Sequence, residues 1–143
     1  MIVLSKTGAY EEAAGIRARL KAGENVLVSA HGMSMWPIYR SGMRIFIEPC
    51  KVDELEQGDV VLVKVSDQLY LHRVIGRLGL GIITKGDARR RKDGVIPPER
   101  VLGRATKRRS DAFMGQMSSV LGTPLWIIAN IYRQFFDRIQ GRP

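Results

Sequence analysis

The chain has 143 residues, 45% of them hydrophobic and 26% charged, which is enough apolar content to exclude a disordered polymer and enough length for one ordinary domain. Lys and Arg number 23 against 14 Asp and Glu, and the formal net charge of +9 favours an anionic neighbour: an acidic partner, an acidic membrane surface or nucleic acid. The one cysteine, Cys50, excludes an internal disulfide framework and any cysteine-built zinc or iron–sulfur site.

The opening MIVLSKTGAYEE has only a short apolar run before Lys6 and reaches acids by Glu11, so no secretory signal is read there. The expected location is cytoplasmic, or peripheral at the inner membrane face. From Gly8 to Lys21, Ala13, Ala14, Ile16 and Leu20 recur at helical spacing, and Gly23 follows where helices often stop. Residues 1–24 are therefore read as a helical segment. From Asn25 the pattern changes to β-branched and apolar runs of strand length, NVLVSA, RIFIEP, DVVLVKV, QLYLHRVI and GIITK, each bounded by Gly, Pro, Asp or Ser. Their connections are too short for parallel crossovers, so residues 25–105 are expected to form a mainly β body of antiparallel hairpins, a ribbon sheet or partly open barrel. Residues 106–143 begin with a basic linker. They continue into an apolar tail where Leu125, Ile128, Ile131, Tyr132, Phe135 and Ile139 predict an amphipathic helix. Pro124 and several polar residues make the uncharged run Ala112 to Tyr132 unsuited to span a bilayer, so the tail is expected to dock on an anionic membrane surface, on a membrane partner or on its own body.

Few residues are available for chemistry. His72 lies in Tyr70-Leu71-His72-Arg73-Val74-Ile75, where alternation puts Tyr70, His72 and Val74 on one strand face and Leu71, Arg73 and Ile75 on the other. A histidine there reads first as a satisfied core or rim residue, and as a base only when a partner is supplied. Ser34 follows His31-Gly32-Met33 and precedes Met35-Trp36-Pro37, a strand end that turns at proline and can expose a hydroxyl beside backbone N–H groups. A serine nucleophile needs a base for its proton and donors for the oxyanion, and most loop serines beside glycine have neither. Asp87 and Asp93 flank the basic loop Ala88-Arg89-Arg90-Arg91-Lys92. Either carboxylate can orient a histidine, or can simply offset nearby arginines.

Taken in order, these clusters resemble the signal peptidase I family. Ser34-Met35-Trp36-Pro37 is similar to its nucleophile box, Gly58-Asp59-Val60-Val61 to its strand box, Leu71-His72-Arg73-Val74 to its base box, and Lys85-Gly86-Asp87 to its last box. Histidine before the arginine of the base box resembles the archaeal and endoplasmic-reticulum branch, where bacterial members carry lysine. The resemblance, over about Val26 to Ala105, implies a single peptidase-like domain with a signal-peptidase or LexA-like β fold and no metal or organic cofactor. It implies Ser34 as nucleophile, His72 as general base, Asp93 as the carboxylate that orients it and Asp87 as support. Gly32 stands where many bacterial members place an oxyanion-binding serine, so the backbone N–H groups of Gly32, Met33 and Ser34 are the expected donors. The implied activity is serine endopeptidase cleavage of a leader, precursor peptide or preprotein.

Two other readings compete. The same clan contains self-cleaving LexA-like repressors, and Gly32-Met33-Ser34-Met35 resembles their nucleophile box, with Ala14-Gly15 as a candidate cleavage dipeptide. Those repressors use a lysine base, and the segment ahead of Ser34 is too short for their DNA-binding domain. The second competitor is a non-catalytic basic module that binds nucleic acid or membrane through Lys85, Arg89, Arg90, Arg91, Lys92, Arg100, Arg104, Lys107, Arg108 and Arg109. No helix-turn-helix, zinc finger or aromatic stacking platform accompanies these cations, which disfavours nucleic acid.

Overall fold

In a computed structural model, which describes residues 9–66 and 68–106, the first element is the helix α1 (Ala9–Lys21). Ala13, Ile16 and Leu20 bury one stripe of it. The helix stops because Gly23 adopts φ +84°, from which its N–H reaches the Leu20 carbonyl at 3.1 Å while that of Glu24 reaches Arg19 at 3.0 Å. This paired closure satisfies the last carbonyls, and the left-handed conformation it requires is one that glycine adopts without strain.

The strands are β1 (Val26–Ser29), β2 (Arg44–Glu48), β3 (Val60–Val65), β4 (Gln68–Leu78), β5 (Gly81–Lys85), β6 (Val95–Ile96) and β7 (Val101–Ala105). They form one open seven-stranded sheet in the order β1-β2-β7-β3-β4-β5-β6, every pair antiparallel. The sheet does not close into a barrel. Apolar residues cover both faces. Val60, Leu62, Leu69 and Leu71 join Ile16, Leu20, Val28 and Ile47 in one cluster, while Val61, Val63 and Val74 join Leu55, Ile82 and Ile96 in another. Alternation along β3 and β4 therefore sorts side chains between two cores, which explains why β3 reads as a continuous apolar run.

The five strand runs read in the sequence correspond to β1 through β5, with β4 continuing past Ile75 to Leu78. Two strands were missed. β7 sits between β2 and β3 in the middle of the sheet, although Gly103 and Arg104 disguise it. A Cβ on Gly103 would come within 2.7 Å of both the Glu48 carbonyl oxygen and Ile47 Cγ2, so this close crossing requires glycine. Arg104 is accommodated by Glu48 at 2.9 Å and Asp59 at 3.5 Å. The tail helix expected in residues 106–143 lies outside the described residues. Among those described, no helix is long and apolar enough to cross a membrane.

Candidate functional site

The β3–β4 hairpin sets the position of His72, which pairs in register with Val61 and is 3% exposed. β5 then runs antiparallel to β4, pairing Arg73 with Lys85, so the Gly86-Asp87 corner emerges beside His72. From there the chain loops outward through the basic residues and returns at Asp93, whose N–H donates to the Thr84 carbonyl at 2.8 Å. That return delivers a carboxylate to the imidazole. Asp93 Oδ2 lies 2.5 Å from His72 Nδ1 and accepts the Thr84 hydroxyl at 2.7 Å.

Burial opposes ionisation of Asp93, but hydrogen bonds from His72 and Thr84, together with the charges of His72 and Arg89, outweigh it and hold the carboxyl below its ordinary 3.8. Asp93 is thus a carboxylate throughout the neutral range. By the sign of that shift, its contribution to folding stability is fully present above the unfolded value and is lost as pH falls through the lower folded value. An ionised Asp93 fixes the tautomer in which Nδ1 carries the proton and Nε2 presents its lone pair. Nε2 is buried and has no hydrogen-bond partner among the described residues.

Ser34 lies half-buried in the turn after β1, where Trp36 N–H closes on the Met33 carbonyl at 3.1 Å. Gly86 brings this turn to the histidine. A Cβ built on Gly86 would lie 2.7 Å from the Ser34 carbonyl oxygen, 3.1 Å from Ser34 Cβ and 3.1 Å from His72 Nε2. Ala88 N–H also donates to the Ser34 carbonyl at 2.9 Å. The missing side chain at Gly86 is therefore what lets the serine turn and the imidazole meet. Gly86→Ala is expected to push the turn away from the imidazole and to cost about 1–3 kcal/mol of stability, the usual penalty for overfilling a packed site. A urea midpoint for Gly86→Ala equal to the parent's would refute this packing role.

The two aspartates separate. Asp93 meets His72, whereas Asp87 forms a bidentate pair with Arg73, Nε to Oδ1 at 2.8 Å and Nη2 to Oδ2 at 2.7 Å, with both side chains 0% exposed. Asp87 therefore supports the corner from within the core, and its carboxylate is committed to Arg73. Its partner was visible as a charge in the middle of a strand whose face-mates are apolar, a position that requires a counter-ion. Of the expected oxyanion donors, Gly32 sits at φ +94° with its N–H 3.4 Å from Ser41 Oγ, a long contact. The other histidine, His31, is exposed. Burial pushes the half-buried Cys50 thiol up to about 11, leaving it protonated and a poor nucleophile at neutral pH.

The cations proposed as one binding surface are also divided. Lys85 is buried and Arg104 is paired with Glu48 and Asp59, while Lys107, Arg108 and Arg109 lie outside the described residues. Arg89, Arg90, Arg91, Lys92 and Arg100 stand exposed. A cavity of about 360 Å³ opens on the His72–Asp93 pair.

A profile described as Peptidase S24-like matches residues 6–80, just over half of the 143. The chain belongs to the Peptidase S24-like family. This places it in the clan of LexA-like and signal-peptidase-like proteins and accounts for its β scaffold. The S24-like match includes Ser34 and His72 and stops before Gly86, Asp87 and Asp93, which the sheet brings to the same corner. No curated protein and no solved structure matches the chain.

Proposed function

We propose that this S24-like chain is a serine endopeptidase of the histidine-based, signal-peptidase-like branch, cleaving a leader or precursor peptide through an acyl-enzyme. The observation that carries this reading is the His72 imidazole, held at Nδ1 by Asp93 and, among the described residues, unpartnered at Nε2, with the Ser34 turn packed against it at Gly86. Ser34 Oγ attacks the scissile carbonyl while Nε2 takes its proton. Asp93 stabilises the resulting imidazolium, and backbone N–H groups of the Gly32–Ser34 turn receive the oxyanion. Nε2–H then protonates the departing amine, and water hydrolyses the ester by the same route.

The self-cleaving alternative has less support, because Ala14-Gly15 lies inside α1, where its backbone is helical and would have to unwind to enter a protease site in extended form.

Turnover of a peptide substrate is expected to be lost as pH falls through the depressed Asp93 value, because a neutral carboxyl no longer fixes the His72 tautomer. Initial rates from acid to neutral pH, for the parent, His72→Gln and Lys85→Met, test the assignment. Burial pushes the Lys85 ammonium below the ordinary lysine value, so Lys85→Met is the control for a lysine base. A pH-dependent rate that survives His72→Gln and vanishes in Lys85→Met would transfer the role to Lys85.

A further inference from the structure

The cavity beside the His72–Asp93 pair has an unusual combination of walls. Val63, Tyr70 and Ile96 make it apolar, and two arginines, Arg89 and Arg100, also line it. These arginines come from separate segments, the loop that follows Asp87 and the short turn Pro98–Arg100 before β7. Both belong to the basic set read from the sequence, but their convergence on one cavity is a product of folding. The adjoining concavity, about 650 Å³, is lined among the described residues by Arg89, Arg90, Arg91, Lys92 and Asp93. Asp93, the one acid among the described residues that line the two hollows, has its carboxylate engaged by His72 and Thr84. The cavity therefore presents an excess of positive charge over an apolar floor, directly against the imidazole.

We propose that this cavity is a specificity pocket for an acidic residue of the peptide substrate, a glutamate or aspartate within a residue or two of the bond that is cut. This rests on the peptidase reading above and adds the substrate's chemistry to it. The floor accommodates the methylene stem of the side chain, and the guanidinium groups receive its carboxylate through charge-assisted hydrogen bonds, the arrangement for which arginine is best suited. Arg90, Arg91 and Lys92 extend the positive field along the approach and steer an acidic chain inward. Nucleic acid is the other polyanion that such a loop attracts, but the cationic groups line a concavity that leads to the catalytic pair, and its apolar floor suits one side chain.

Two measurements on the full chain test this separately from the catalytic reading. Ser34→Ala is applied to an array of octapeptides in which each position is fixed in turn as Glu, Gln, Leu or Lys, and the parent is incubated with a proteome-derived peptide library whose cut sites are read by mass spectrometry. Glu is expected to exceed Gln by about tenfold at one position, in binding and in cleavage, with the preference weakening at high salt. The double variant R89E/R100E should reverse it towards Lys. Because Arg89 also acts on Asp93, the readout is the Glu-to-Lys ratio, which a general loss of catalytic power leaves unchanged.

Acid-selective binding with no cleavage by the parent would keep the pocket and sink the peptidase reading. Cleavage without acid preference, or a preference that persists in R89E/R100E, would overturn the pocket and leave the peptidase reading standing. Tighter binding of a single-stranded oligonucleotide, with no selection among the peptides, would overturn it in favour of nucleic acid. Absence of both binding and cleavage would refute both.

Discussion

Ser34→Ala and His72→Ala should each reduce peptide hydrolysis by about 10⁴-fold or more, and the double variant should be scarcely worse than either single one, because nucleophile and base act as one unit. Ser34 lies in a half-buried turn, so the melting temperature of Ser34→Ala, read beside its rate, separates lost chemistry from lost structure. His72 is 3% exposed, and His72→Ala opens a cavity. His72→Gln, which fills most of that space, separates lost chemistry from lost packing. Asp93→Asn is expected to cost less than either, since Ser34 and His72 remain, but it replaces the acceptor that fixes the imidazole tautomer. Its signature is a flattened or displaced pH profile together with a fall in kcat. Rates within a fewfold of the parent for Ser34→Ala or His72→Gln, measured on a peptide the parent cuts, would remove the Ser/His assignment.

Local sequence carried much of this architecture. Strands β1 to β5 follow from β-branched runs between turn residues, and the face of β4 that holds His72 follows from period-two alternation. What the sequence left open depended on pairings distant along the chain. β7 contains glycine and arginine at its centre, and these make sense only once Gly103 is seen to pass against Glu48 and Ile47 and Arg104 to meet Glu48 and Asp59. The choice between Asp87 and Asp93 was open for the same reason. Both lie in one loop, and only the return of residue 93 onto Thr84, with the burial of Arg73 beneath the corner, divides their partners. Ser34 and His72 were recognisable by resemblance, but the contact between their surroundings runs through Gly86, a residue with no side chain to announce a role.

The other large effect expected is on stability, at Asp87. Removing its carboxylate by Asp87→Ala leaves the Arg73 guanidinium fully buried without its counter-ion, and breaking a buried pair from one side typically costs about 3–5 kcal/mol. Set against a typical domain stability of about 5–15 kcal/mol, that loss leaves a marginally folded protein. Urea denaturation should show the midpoint falling while the slope is kept. The double variant Arg73→Met, Asp87→Leu removes both charges and should recover much of the loss, because two apolar side chains of similar size carry no desolvation penalty. Recovery should be incomplete, since Arg73 Nη1 also donates to the Gly58 carbonyl at 2.7 Å and that acceptor would lose its partner. The coupling between the two positions in this cycle measures the pair itself. Activity separates the two aspartates further. Asp87→Ala should lose turnover in step with its folded fraction, apart from any slackening of the Gly86 corner that packs on Ser34, whereas Asp93→Asn should lose it while remaining folded. If Asp87→Ala proved as stable as the parent and inactive, its carboxylate would belong to the chemistry and the buried pair with Arg73 would have no structural role.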